Sequence, residues 1–345
     1  MSLAWCGATD SLPQTLKAAG LAVGLDVGFQ WNHLQKASHP NETTFMVKHG
    51  LLAVNSRMTM ANVQQQQGVF SFAASDEWVA WARRLGMRVT HGGHLVWEHE
   101  PSWAIAITSP SELRAVMVDH ITTMMAHFGG SVSSWNVVNE SISDFGSPNP
   151  GDFRSNHWFN ILGPSYVTDA FNAAASVALP GQTLVLNQAW LEWADDVSYS
   201  GTLALIGDLL NAGVRVDAIG AQFHLRSDQN ASASVIVDRL NAFGNLGLDV
   251  HITELDVLDK FYPLSTRHQD CADHLLTIVG AVCADVVNLK EIVMWDVCDR
   301  TSFLDTNPPY GRSDGMEVAG GNFIDRMGRY NPMADALLTA LAMRA

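Results

Sequence analysis

Eight short, nearly continuous apolar runs recur along this chain, and stretches with helical spacing separate them. The runs cover residues 21–27, 51–55, 87–89 with 95–97, 133–138, 183–187, 217–223, 249–255 and 291–296. Strands that are apolar on both faces belong in a parallel sheet covered on both sides. Between them, residues 76–85 place Trp78, Trp81, Ala82 and Leu85 on one helical face and stop at Gly86. Ser109-Pro110-Ser111-Glu112 reads as a cap, a first-turn proline and a capping-box glutamate. That helix is expected to run to Phe128, before Gly129-Gly130. Further helices are expected at 164–178, 201–212, 233–245, 266–284 and 332–344. Eight strands alternating with helices over 345 residues favour an α/β fold closed as a (β/α)8 TIM barrel over an open doubly wound sheet. One domain over 1–345 is expected. Stretches 143–157 and 299–322 read as long loops after the fourth and eighth strands.

A chain of this size, 47% hydrophobic, buries enough core to need neither disulfides nor metals for stability. Its net charge of −15 repels nucleic acid and anionic membrane, so neither is expected as a partner. Cys6, Cys271, Cys283 and Cys298 lack C-x-x-C spacing and read as free core cysteines. The start, Met1-Ser2-Leu3-Ala4-Trp5, shows no basic region followed by an apolar run, so no signal peptide is visible in this chain. His91, His94 and His99 with Glu98 and Glu100 resemble a metal cluster in composition only. Strand alternation points near neighbours in different directions, so no metal is expected there and hydrogen bonding along a cleft is. No cofactor is expected.

In a barrel of this kind the chemistry sits at the C-terminal ends of the strands. The fourth run ends in Asn139-Glu140 and the seventh in Glu254-Leu255-Asp256. The sixth carries Gln222 and His224, the third ends in Trp97, and the eighth ends in Trp295-Asp296. Two strand-end glutamates provide what glycoside hydrolysis uses: an acid that protonates the leaving oxygen and a carboxylate that attacks the anomeric carbon. Flat tryptophan faces stack on sugar rings.

The residues around these glutamates carry a resemblance. Trp135-Asn136-Val137-Val138-Asn139-Glu140 resembles the W-D-V-V-N-E signature of glycoside hydrolase family 10, the β-1,4-xylanases. Ile252-Thr253-Glu254-Leu255-Asp256 matches that family's I-T-E-L-D. Gln67-Gly68-Val69-Phe70-Ser71-Phe72, Leu95-Val96-Trp97 and Ile219-Gly220-Ala221-Gln222-Phe223-His224 are similar to further family motifs, so the resemblance covers roughly residues 20–343. It implies a retaining, endo-acting β-1,4-glycan hydrolase with Glu140 as acid/base and Glu254 as nucleophile. Asn139 would bond the sugar 2-hydroxyl. His224 would orient the nucleophile, with Gln222 and Asp256 in support. Trp97, Trp295, His94, Glu100 and Phe303 would contact substrate. The implied partner is a xylan-like polysaccharide or oligosaccharide. A monomer is expected, and a secreted or periplasmic location, because a polymer cannot cross a membrane.

The chain also departs from the family. Ser56 and Thr59 stand where asparagine and lysine of the N-E-M-K motif are expected, and those normally hold sugars on the non-reducing side. Gly93 or His94 takes the place of a family histidine, and Glu100 that of a glutamine. In the fifth run Asn187-Gln188-Ala189-Trp190 replaces N-D-Y-N. Cys283 falls where some members place half of a disulfide, but the partner position is Leu289, so no bridge is expected. The catalytic pair therefore reads as kept and the sugar-holding shell as rebuilt. A related β-glycosidase of different specificity, or a non-catalytic carbohydrate-binding barrel, are the alternatives.

Overall fold

The computed structural model describes residues 14–30, 40–54, 56–144, 147, 149, 151–193, 197–226, 231–259, 262–263, 265–299, 302, 321–325 and 328–344. Ten strand segments line one sheet: β1 (Asp26–Gln30), β2 (Leu52–Val54), β3 (Arg88–Val89), β4 (Gly92–Val96), β5 (Ser134–Asn139), β6 (Thr183–Gln188), β7 (Ala218–Ala221), β8 (His224–Arg226), β9 (Asp249–Leu258) and β10 (Leu289–Met294). Their order is β3-β2-β1-β10-β9-β7-β6-β5-β4, and every pairing is parallel. β3 pairs with β2 while β4 pairs with β5, so residues 88–96 form one strand position that closes the ring. β7 and β8 pair with β9 in succession and form another. Ten segments thus fill eight positions, as expected for a (β/α)8 barrel.

The first strand differs from the sequence reading. Residues 21–27 are not one strand. The helix Leu16–Ala22, capped by Thr15, takes the first part, and β1 begins only at Asp26. Gly24, at φ 73°, turns the chain out of the helix, and the Leu25 amide donates back to the Gly20 carbonyl at 2.9 Å. An apolar run that changes element midway leaves no mark in hydropathy alone.

Helices clothe the ring. In Pro110–Phe128, Ser109 accepts from the Glu112 amide at 3.4 Å, as its motif predicts. Leu113, Val116, Met117, Ile121, Met124, Met125 and Phe128 form its inward face, each such side chain contributing roughly 1.5–3 kcal/mol by burial. His120 shares that face, and burial alone draws its pKa down to about 3, so it packs as a neutral ring. Cys271 and Cys283 are free and buried, Cys298 is buried, and Cys6 lies outside the described residues. Among the described residues no helix is long and apolar enough to cross a membrane.

Strain gathers at the C-terminal side of the ring. Glu140, Trp190, Phe223 and Asp296 there, and His91 deeper in the barrel, are non-glycine residues with φ between 50° and 89°. Each follows or interrupts a strand, where the chain breaks its ladder to aim a side chain. Such conformations cost about 1–3 kcal/mol apiece and persist where function uses them.

Candidate active site

A cleft of about 360 Å³ opens at this strained rim. Asn139, Glu140, Gln222, His224, Glu254, His94, Trp97 and Trp295 line it together, so eight of the eleven residues singled out from sequence converge there. Asp256 lies behind the wall, against His224. Glu100 is not among the lining residues; burial pushes its carboxyl up to about 7. Phe303 falls outside the described residues.

The two carboxylates belong to one hydrogen-bonded chain. Gln222 Nε2 donates to Glu140 Oε1 at 2.9 Å and approaches Asn139 Oδ1 at 3.3 Å. Asn187 Nδ2 donates to the same Asn139 Oδ1 at 2.8 Å and to Glu254 Oε1 at 2.8 Å. Thr253 Oγ1 fixes the other end of Asn187 at 2.7 Å. Gly220 leaves the room this needs: a Cβ there would press on Asn187 Oδ1 and stand 3.0 Å from Thr253 Cγ2.

Electrostatics separate the two glutamates. His224 lies between Glu254 Oε2, at 3.3 Å, and Asp256 Oδ2, at 3.0 Å. Burial opposes its charge, but Asp256 and Glu254 outweigh burial and raise the imidazole well above its usual value. Burial likewise pushes the Glu254 carboxyl up, and His224 more than cancels this, holding it below its usual value. Glu254 is therefore an ionised carboxylate in a 5% exposed position. His94 Nε2 stands 4.0 Å from Glu254 Oε1, and burial draws this histidine downward despite the nearby carboxylates.

Glu140 has different company. Trp97 Nε1 faces its Oε2 at 3.4 Å, and Arg154 Nη1 lies 3.0 Å from the same oxygen. Arg154 also holds Glu98 at 2.9 Å and reaches Asp144 at 3.9 Å. Burial works against the guanidinium charge, but Glu140, Glu98 and Asp144 more than offset it and raise its pKa. Sequence reasoning missed Arg154 because it is one cation in a loop, with no motif around it. Elsewhere in the lining, Thr59 Oγ1 accepts from Asn62 Nδ2 at 2.7 Å and meets His99 Nδ1 at 3.3 Å. Thr59, Asn62 and His99 thus occupy the place where the family carries a lysine.

Residues 11–314 match the sequence model of Glycosyl hydrolase family 10. The chain belongs to this family. It is 30% identical over 282 residues to endo-1,4-beta-xylanase C of Phanerodontia chrysosporium, covering 78% of this chain and 67% of that one. It is 29% identical to endo-1,4-beta-xylanase A of Humicola insolens, over 80% of this chain and 70% of that one. Against endo-1,4-beta-xylanase B of Neocallimastix patriciarum identity is 28%, over 82% of this chain but only 32% of the relative's length. Among solved structures, native xylanase 10B of Thermotoga maritima superposes with a TM-score of 0.85 at 24% identity, covering 95% of this chain and 98% of that one. Xylanase 10B of Thermotoga petrophila, in complex with xylobiose, gives 0.86 at 24%, over 97% and 99%. At that identity the superpositions speak for the fold. In this family 10 barrel, glutamates at the ends of β5 and β9, with β6 and β7 between them, meet in one cleft.

Proposed function

We propose that this barrel, as one catalytic unit over 1–345, is a retaining, endo-acting hydrolase of β-1,4-xylan. Glu254 attacks the anomeric carbon while Glu140 protonates the departing oxygen, which gives a glycosyl ester on Glu254. Glu140, now a carboxylate, takes a proton from water, and that water releases the sugar with its configuration kept. Asn139 faces the sugar bound between them and offers its amide to a hydroxyl. Trp97 and Trp295 flank the cleft as apolar faces for the rings.

The observation that carries this reading is the ionised Glu254 held by a charged His224, on the same hydrogen-bonded chain as Glu140. A barrel that merely bound sugar would have no use for a buried carboxylate kept in its nucleophilic form. The family relatives named as endo-1,4-beta-xylanases support xylan as the polymer. A polymer substrate that cannot cross a membrane supports a secreted or periplasmic location. Thr59, in place of a lysine, removes a charged contact on the non-reducing side, worth ~1–3 kcal/mol to binding. A raised KM on short xylo-oligosaccharides is the expected consequence.

The test is reducing-end release from xylans, mixed-linkage glucans and mannans, with the product anomer followed by NMR. Xylan is expected to be cleaved fastest, and the β-anomer to appear first. An initial α-anomer rules out double displacement, and activity confined to glucan or mannan rules out xylan.

The pH profile tests the role of His224. In Asp256→Asn the imidazole loses the charge that raises it, and Glu254 loses its cationic partner in turn. Burial then pushes the Glu254 carboxyl upward. Because the nucleophile works ionised, activity disappears as pH falls through its pKa. The acidic limb of kcat/KM should therefore move to higher pH, by about one unit. An unmoved acidic limb would detach Glu254 from this control.

A further inference from the structure

Below the catalytic mouth, three side chains from separate stretches meet inside the barrel. They are His91, in the link between β3 and β4, His251 on β9, and Glu291 on β10. All are buried, and one ligand atom from each lies within 4.8 Å of the others. His251 and Glu291 are register partners on neighbouring strands. Glu291 Oε2 is 2.9 Å from His91 Nε2 and 3.6 Å from His251 Nδ1. His251 precedes Glu254 by three residues on β9, which sets the cluster about 10 Å beneath the reacting carboxylates.

Neither nitrogen facing the carboxylate is taken up by a hydrogen bond. His91 Nδ1 lies 2.9 Å from Asn136 Oδ1, an acceptor, so the tautomer with the proton on Nδ1 leaves Nε2 as the ligand atom facing inward. His91 Nε2 and His251 Nδ1 both lack a hydrogen-bond partner, although both stand close to Glu291. These contacts are short without the alignment that N–H···O bonding needs. The two imidazole side chains are 1% and 3% exposed, so water does not compensate them. Two buried imidazole nitrogens and a buried carboxylate oxygen that face one another without hydrogen bonds between them form a donor set that a cation would satisfy.

We propose that His91 Nε2, His251 Nδ1 and Glu291 Oε2 bind a divalent transition-metal ion, with zinc as the reference ion. Bonds of about 2.0–2.1 Å to such an ion set ligand-to-ligand edges of about 3–3.5 Å. The separations of 2.9 and 3.6 Å lie close to both limits. Two imidazoles and one carboxylate suit zinc better than calcium or magnesium. Asn136 fixes the His91 tautomer, and Thr90 Oγ1 donates to Glu291 Oε2 at 3.0 Å, the outer support that metal sites use. The ion ties three strand positions across the barrel. It acts on stability and takes no step in glycoside cleavage, so the site stands apart from the proposed activity.

The experiment strips the whole protein with a chelator, adds zinc, desalts, and measures bound metal by plasma mass spectrometry. The expected result is about one zinc per chain. Zinc should also raise the melting temperature by several degrees, through binding to the native state alone. His251→Gln and Glu291→Gln should each lose the bound zinc and the thermal shift while keeping the wild-type circular dichroism. Cobalt in place of zinc should give a visible d–d band in the wild type only. A wild type that retains no zinc overturns the site and leaves a buried ion-pair network. Variants that retain as much zinc as the wild type also overturn it, because the metal then sits elsewhere. If the variants do not fold, the wild-type stoichiometry and cobalt band decide alone.

Discussion

A Glu254→Gln protein is expected to lose at least ~10⁴-fold in turnover on xylan while keeping its fold. Glutamine has the shape of glutamate, and its amide oxygen can still accept from Asn187 Nδ2, which now stands 2.8 Å from Glu254 Oε1. It offers no anionic oxygen to the anomeric carbon, so the covalent step has no nucleophile. A 10⁴-fold loss corresponds to about 5.5 kcal/mol of transition-state stabilisation. The sugar contacts proposed for Trp97, Trp295 and Asn139 are untouched, so KM should stay within a few-fold. Initial rates of reducing-end release across substrate concentration give both quantities, with circular dichroism as the fold control. Turnover within ~100-fold of wild type would take the nucleophile away from Glu254.

Glu140→Ala should show a different pattern, set by the leaving group. On xylan the departing alkoxide needs a proton, and the loss is expected to be ~10²–10⁴-fold. On a dinitrophenyl xylobioside the leaving phenolate needs none, so the first step should proceed and the glycosyl ester should accumulate. A burst of dinitrophenol followed by a slow steady state is the signature. Azide, an anion that attacks without a base, should restore the steady-state rate. Arg154 remains paired with Glu98 at 2.9 Å in this variant, so the local charge does not collapse. Equal losses on both substrates, with no burst, would place the acid role on another residue.

The strand-end glutamates were legible in the sequence because each closes an apolar run, and a barrel brings such ends to one face. His224, Gln222 and Asn139 were legible for the same reason. The first strand was misplaced because the helix Leu16–Ala22 and β1 share one apolar run, and only the conformation of Gly24 divides it. Arg154 left no local sign, since its partners Glu98 and Glu140 come from two other strand ends. The histidines raised as a metal cluster were near neighbours in sequence. The structure instead groups His91 with His251 and Glu291, residues that no spacing rule connects. Local pattern reports the direction of a strand and the residue at its end. It does not report which distant side chains meet inside the closed ring.

The chain from Glu140 through Gln222, Asn139 and Asn187 to Glu254 is built of neutral amides between its two ends. Amides do not titrate in the range where enzymes operate. In the proposed catalytic cycle Glu140 gives up and regains a proton, and Glu254 passes from anion to ester and back. The spacer between them changes charge at none of these stages. It works as electrical insulation that still fixes distance, so each carboxylate switches state without dragging the other out of place. Replacing Asn187 or Gln222 with its acid would put a third titrating group into the line, and a clean two-group pH curve would become a composite one.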